Sequence, residues 1–370
     1  MRPLRVLLSG GGTGGHIFPA IAIANEIKKQ KPDTEFLFVG ANGRMEMEKV
    51  PACGYKITGL NITGLQRKLS FSNLLFPFKL IESAIKAKKI IKEFKPDVAI
   101  GTGGYASGPA LNAAAKTGIP CIIQEQNSYP GITNKILSKK VKYICVAYEG
   151  MEKFFPKEKI ILTGNPIRKD VFNTSEKRNE AIDFFNLSKS KKTILVIGGS
   201  LGARTINESI FDGIEKIKGK GIQLIWQTGK SFSERAKEKT LQYSKENIHS
   251  FDFISRMDLA YAVADIVVSR AGASSISELC AVQAPCILVP SPNVAEDHQT
   301  KNAMALSGRN AAIMIRDSEA ASELVNKTLS LIEDDIMISE LKKNISEMAI
   351  YDSAERIVEK VFELTRQISK

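Results

Sequence analysis

Short runs of β-branched and aliphatic residues alternate with amphipathic helical stretches along almost the whole 370-residue chain. This alternation constrains the fold more than any other feature, because strands joined by crossover helices pair in parallel and build α/β sheets. In the first half, strands are expected near Leu4–Leu8, Glu35–Val39, Val98–Ile100, Pro120–Gln124, Tyr143–Val146 and Ile160–Leu162. In the second, they fall near Thr193–Ile197, Gln223–Trp226, Ile248–Phe251, Ile266–Val268 and Cys286–Val289. Each half opens with a strand that runs straight into glycines, first Leu7-Leu8-Ser9-Gly10-Gly11-Gly12 and later Val196-Ile197-Gly198-Gly199. The expected architecture is therefore α/β, with two Rossmann-like, doubly wound domains facing each other. A boundary at Gly164-Asn165-Pro166-Ile167-Arg168 suits the extended or turn conformation that Asn-Pro favours. It divides the chain into 1–166 and 167–352. A last helix, about 353–370, carries Ile357, Val361, Phe362 and Leu364 and suits packing back on either domain.

Four glycine-rich turns carry the chemistry. The first, Gly10-Gly11-Gly12-Thr13-Gly14-Gly15-His16, precedes a helical run starting at Ala20, with Pro19 suited to its first turn. Glycines let the backbone approach a ligand, and a helix N-terminus behind them favours an anion. The same residues satisfy G-x-G-x-x-G through Gly10, Gly12 and Gly15, which raises dinucleotide binding as a rival. That fingerprint also wants an acid closing the second strand, which here ends Phe38-Val39-Gly40-Ala41-Asn42. A Walker A loop fails as well, since Leu224 stands where Gly229-Lys230-Ser231 would need its first glycine. The second turn is Gly101-Thr102-Gly103-Gly104-Tyr105, the third Gly198-Gly199-Ser200-Leu201-Gly202-Ala203-Arg204. The fourth runs from Ser269 through Ala273 and Ser274 to Glu278. Any one alone is equally a tight turn. Four of them after strands, split between two domains, suit two large polar substrates, at least one bearing phosphates.

Charge separates the halves. Residues 1–166 carry 24 lysines and arginines against 12 carboxylates, whereas the remainder carries 28 of each. A basic half implies an anionic partner: nucleic acid, an acidic membrane leaflet or a phosphate-rich substrate. Few aromatics interleave with the lysines and no familiar nucleic-acid module is evident, so no nucleic-acid partner is expected. Cys53, Cys121, Cys145, Cys280 and Cys286 form no Cys-x-x-Cys pair and read as reduced core residues; no metal site is expected. No apolar run is long enough to span a bilayer and the N-terminus lacks a signal-peptide core, which predicts a cytoplasmic protein.

The ordered set of motifs resembles the MurG family. It comprises Gly11-Gly12-Thr13-Gly14-Gly15-His16, Gly101-Thr102-Gly103-Gly104-Tyr105, Glu125-Gln126-Asn127, Gly164-Asn165-Pro166-Ile167-Arg168, Gly198-Gly199-Ser200-Leu201-Gly202-Ala203 and Asp297-His298-Gln299-Thr300-Lys301-Asn302-Ala303. The resemblance spans nearly the whole chain. It implies a GT-B fold with a cleft between the domains and inverting transfer of GlcNAc from UDP-GlcNAc to the C4 hydroxyl of MurNAc in undecaprenyl-linked lipid I. The product would be lipid II for peptidoglycan, linking the chain to cell wall biogenesis, cell shape and cell division. It further implies no cofactor and no obligatory metal, a peripheral place on the cytoplasmic face of the bacterial inner membrane, and partners among cell-wall synthesis proteins. The remaining GT-B alternatives are a glycolipid synthase or a UDP-GlcNAc 2-epimerase.

Roles follow by resemblance, residue by residue. Thr13, Gly14, Gly15 and His16 join the donor site. Glu278 resembles the carboxylate that holds the ribose hydroxyls, with Ala273 and Ser274 close by in sequence. Ser200, Leu201 and Gly202 resemble diphosphate contacts, and Arg168 a residue that steadies departing UDP. Phe253 and Ile254 border the uracil; Asn127, His298 and Gln299 reach sugar hydroxyls. In the acceptor site fall Gly103, Gly104, Tyr105, Lys135 and Lys140. A general base must take the acceptor proton. His16 leads, because imidazole titrates near neutral pH, and Glu125 is second. Phe71, Leu74, Leu75, Phe76, Phe78 and Lys79 join apolar side chains to cations ahead of a lysine-rich helix, a pattern suited to an anionic membrane surface.

Overall fold

The computed structural model describes residues 2–63, 76–168, 171–172, 174–199 and 202–368. The chain divides into two compact units, Met1–Ile167 with Tyr351–Lys370, and Arg168–Ile350.

The first unit is built on a parallel sheet of β1 (Arg5–Gly10), β2 (Glu35–Ala41), β3 (Ile57–Leu60), β4 (Val98–Gly103), β5 (Cys121–Glu125), β6 (Tyr143–Val146) and β7 (Ile160–Leu162). Their order across the sheet is β3-β2-β1-β4-β5-β6-β7. Val6, Leu7 and Leu8 are all fully buried, as expected of a central parallel strand with helices on both faces. On one face Leu7, Ala99 and Ile123 pack with Ala110, Leu111 and Ala114 of the helix Ser107–Lys116. On the other, Val6, Leu8 and Ile100 meet Ile17, Ile21 and Ala24 of the helix Gly14–Gln30. Ile357, Val358, Val361 and Leu364 of the helix Ser353–Ile368 complete that same cluster, so the last helix is part of the first unit's core.

The second unit repeats the plan. Its parallel sheet comprises β8 (Thr193–Ile197), β9 (Gln223–Gln227), β10 (Ile248–Phe251), β11 (Ile266–Ser269), β12 (Cys286–Leu288) and β13 (Ile313–Met314), in the order β10-β9-β8-β11-β12-β13. Ile206, Ile210, Ile214 and Ile217 form one stripe of the helix Arg204–Gly219 and bury fully against the sheet. Each contributes about 1.5–3 kcal/mol of burial. Gly213 lets that helix approach Ala320–Glu333: a Cβ there would lie 2.5 Å from Val325 Cγ2.

Three expectations need correction. The edge strands β3 and β13 escape the sequence reading. The first helix begins at Gly14, so Pro19 lies inside it, where its missing N–H leaves the Gly15 carbonyl without a helical donor. Cys53 is exposed at the end of the helix Glu46–Ala52, while the other four cysteines are buried.

Candidate functional site

In each sheet the build-up of strands reverses once, between β1 and β4 in the first and between β8 and β11 in the second. Loops leaving such a pair diverge, and the crevice they open is where doubly wound sheets hold ligands. The four glycine-rich turns are the loops that leave these four strands.

In the first unit the two turns interlock. A Cβ on Gly10 would lie 1.9 Å from Thr102 Oγ1, and one on Gly104 (φ +86°) 2.3 Å from the Gly11 carbonyl oxygen. Gly103 leaves room for the His16 ring, whose Nδ1 a Cβ would meet at 2.8 Å. Under the loop sits Glu46, fully buried: Oε2 accepts the Gly12 N–H at 2.9 Å and Oε1 the Ala41 N–H at 3.0 Å. The acid missing from the end of β2 thus arrives from the next helix and holds the loop itself. Thr13 takes the N-cap position, and the amides of Gly14 and Gly15 open the helix, where no intrahelical acceptor exists.

The tautomer of His16 follows from its neighbours. Its Nδ1 lies 2.9 Å from Gln126 Oε1. Gln126 Nε2 donates to the Thr102 carbonyl at 2.7 Å and the Gln124 carbonyl at 3.1 Å, which fixes the amide's orientation and presents its oxygen to the imidazole. Nδ1 must then carry the hydrogen, leaving the Nε2 lone pair to accept a proton. The amide chain runs on through Gln124 Nε2 to Asn165 Oδ1 (2.8 Å), and Asn165 Nδ2 returns to the Gln126 carbonyl (3.0 Å).

Glu125 is buried at the end of β5. Oε1 accepts Asn127 N–H and Nδ2, both at 3.1 Å; Oε2 accepts Gly131 N–H (3.1 Å) and Asn134 Nδ2 (2.9 Å). Four donors on two oxygens make it the anchor of the loop that carries Asn127. Tyr105 is half exposed beside the second turn. Lys135 lays its ammonium 3.9 Å from the Tyr129 ring centroid, and Lys140 Nζ donates to Asn112 Oδ1 at 2.5 Å.

In the second unit, Gly199 and Gly202 both take positive φ (+76° and +79°), and a Cβ on Gly202 would strike the Thr228 carbonyl oxygen at 2.4 Å. Ser200 and Leu201 lie outside the described residues. Gln227 Oε1 at the end of β9 accepts the Ile254 N–H at 2.9 Å, burying Ile254 while the neighbouring Phe253 stays exposed. Ala273 and Ser274 open the helix Ala273–Ala281, whose Glu278 accepts Arg168 Nε on Oε1 (3.0 Å) and the Tyr261 hydroxyl on Oε2 (2.9 Å). Gln299 Oε1 accepts the Ser291 N–H at 2.9 Å, and His298 Nε2 lies 3.8 Å from Glu296 Oε2. The sequence reading brings Arg168 and Glu278 to one site but misses Glu46, Gln126, Gln227 and Tyr261. Gln126 lies inside a quoted motif; the other three stand outside the glycine turns.

Of the apolar and basic segment, Phe71, Leu74 and Leu75 lie outside the described residues, as does the Phe76 side chain. The helix Phe76–Phe94 exposes Phe78, Ile81 and Ile85 along one stripe, with the partly buried Lys79 beside Phe78 in sequence. Lys86 instead donates to the Gly59 carbonyl at 2.7 Å. Among the described residues, no helix is long and apolar enough to cross a membrane.

Residues 6–146 match the N-terminal domain of glycosyltransferase family 28, and residues 193–357 its C-terminal domain. The UDP-N-acetylglucosamine–N-acetylmuramyl-(pentapeptide) pyrophosphoryl-undecaprenol N-acetylglucosamine transferase of Cytophaga hutchinsonii is 59% identical over 98% of this chain and 97% of its own length. The protein of that name in Parabacteroides distasonis is 55% identical over 98% of this chain and 99% of its own. The crystal structure of Acinetobacter baumannii MurG superposes with a TM-score of 0.79 at 26% identity, covering 98% of this chain and all (100%) of that one. A UDP-N-acetylglucosamine 2-epimerase shares the fold at a TM-score of 0.64 and 13% identity, covering 98% of this chain and 96% of its own. The interlocked glycine turns, the two doubly wound sheets and these full-length matches agree: the chain belongs to glycosyltransferase family 28 and, within it, to the MurG family, with the GT-B fold.

Proposed function

We infer that the chain transfers GlcNAc from UDP-GlcNAc to the C4 hydroxyl of MurNAc in lipid I, with inversion, giving lipid II. The observation that carries this reading is full-length identity of 59% to a transferase of that name. The acceptor oxygen attacks the anomeric carbon in line as the bond from that carbon to the diphosphate oxygen breaks. His16 Nε2 takes the hydroxyl proton, and UDP leaves with the bonding pair. Developing charge on the diphosphate is met by backbone amides of the turn after β8 and by Arg168. Glu278 takes the ribose hydroxyls, Phe253 and Ile254 border the uracil, and Gln299, His298 and Asn127 address the sugar. Glu125 is assigned a positioning role rather than that of a base, because both its oxygens are occupied by N–H donors. Incubation with UDP-GlcNAc and a soluble lipid I analogue should yield the disaccharide product. Formation of UDP-ManNAc without acceptor would replace this reading with an epimerase.

The enzyme works at an anionic membrane surface through its first unit. Support comes from Phe78 and Ile85, 71% and 67% exposed, on a lysine-rich helix in the basic half of the chain. The helix Ile132–Leu137 adds exposed Ile132 and Ile136 to the same unit. Phe78→Asp with Ile85→Asp should weaken binding to phosphatidylglycerol vesicles by about tenfold or more. Undiminished binding would rule that helix out as the contact.

A further inference from the structure

The two oxygens of Glu278 have partners of opposite character. Oε2 accepts the hydroxyl of Tyr261, a side chain 6% exposed on the helix Met257–Val263. Burial, reinforced by the neighbouring carboxylate, holds that phenol well above its ordinary pKa, so it remains a donor. Oε1 accepts Arg168 Nε, and here the side chains are 15% exposed for Glu278 and 40% for Arg168. A phenol locked in a helix is costly to move, whereas a partly exposed ion pair is weakened by solvent and by the entropy of holding a long side chain. One contact is fixed and the other is exchangeable.

We propose that Arg168 is a built-in placeholder on Glu278, displaced when the donor's ribose hydroxyl claims Oε1 and then passed to the diphosphate, while Tyr261 holds Oε2 and so positions the carboxylate. The proposal rests on reading Glu278 as the ribose contact. The exchange breaks no covalent bond and moves no proton. Glu278 trades a cation for a neutral hydroxyl donor, and Arg168 trades one carboxylate for a more highly charged diphosphate. A nucleoside alone opens the ion pair without bringing an anion of its own to the guanidinium. A nucleoside diphosphate supplies both halves of the trade, which makes its two ends cooperative. Tyr261 acts through Glu278 and is a positioning residue.

Arg168→Met tests the placeholder, because its effect should change sign with the ligand. Calorimetry on the full chain should find uridine bound about two- to fivefold more tightly, reflecting release of a partly exposed ion pair, and UDP bound at least about tenfold more weakly. Uridine affinity that is unchanged or lowered would overturn the exchange. Tyr261→Phe leaves Oε2 without its donor and should erase most of the preference for UDP over 2′-deoxy-UDP while thermal unfolding remains cooperative. A preference retained in full would overturn the positioning role. Glu278→Gln separates these failures from that of the underlying reading: if this variant still prefers UDP over 2′-deoxy-UDP as the parent does, the ribose assignment falls.

Discussion

The two units share strand order, switch point and glycine turns, yet they treat those turns differently. In the first unit the Gly12 amide is already taken by the buried Glu46, and the space beside Gly103 and Gly104 is filled by His16 and the Gly11 backbone. In the second, the acid lies on the helix after the fourth turn, and one of its oxygens faces a partly exposed arginine. The same scaffold thus yields one turn whose acid is bound to the loop backbone and one whose acid is held by side chains. The placement of the acid, rather than the number of glycines before it, separates the two turns.

This contrast can be broken by substitution. His16→Ala should lower turnover about 10²–10⁴-fold, the usual contribution of a general base, with UDP affinity nearly unchanged. A variant with near-parental turnover would remove the proton-accepting role from the first unit. Glu278→Ala should weaken UDP binding about 10- to 100-fold, as expected when a charged hydrogen-bond partner of a ligand is lost. Unaltered affinity would make the two acids equivalent and erase the comparison. Glu46→Gln places an amide NH₂ against a backbone N–H and should cost about 1–3 kcal/mol of stability, read by denaturant unfolding. UDP binding should be spared, and a larger loss of UDP affinity than of stability would show that the first loop holds the nucleotide part of the donor.

The smallest effect concerns pH and sharpens the role of the helix bearing Tyr261. Asp258 near its start accepts Arg256 Nε on Oδ1 and Lys177 Nζ on Oδ2, each at 2.9 Å. Arg256, helped by Lys177, holds the Asp258 carboxyl well below the usual range despite its burial. A carboxyl depressed by folding stabilises fully above its unfolded pKa, about 4, and that contribution is lost as the pH falls further. The stability difference between the parent and Asp258→Asn should therefore be constant above about pH 5 and shrink below about pH 4. A difference that stays constant to lower pH would show that the carboxylate's charge is not what secures the helix.

Much of this organisation is legible in the chain itself. Central strands announce themselves as unbroken aliphatic runs such as Val6-Leu7-Leu8 and Ile194-Leu195-Val196-Ile197, because both faces are buried. The edge strands β3 and β13 do not. Ile57–Leu60 contains a glycine, and Ile313–Met314 is two residues long, paired only through Ile287 and Leu288 of β12. Glycine turns can be read because glycine leaves a positional mark at the strand end. Glu46, Gln126 and Tyr261 leave none: each gains meaning from an atom brought near by tertiary folding, with Gln126 held to His16 across 110 positions. The excluded dinucleotide reading illustrates this limit, since the acid sought at the end of β2 is present five residues beyond Ala41, turned toward the loop's own backbone.

The return of Ser353–Ile368 to the sheet that begins with Arg5 gives synthesis an order. The second unit has all its strands and helices once Ile350 has left the ribosome, whereas the first still lacks one wall of its core. A chain arrested between these points would carry a complete second unit and a first unit with Ile17 and Ile21 still partly uncovered. The core of the first unit therefore closes only after the second unit's segment has been made, and the basic half acquires its settled surface late.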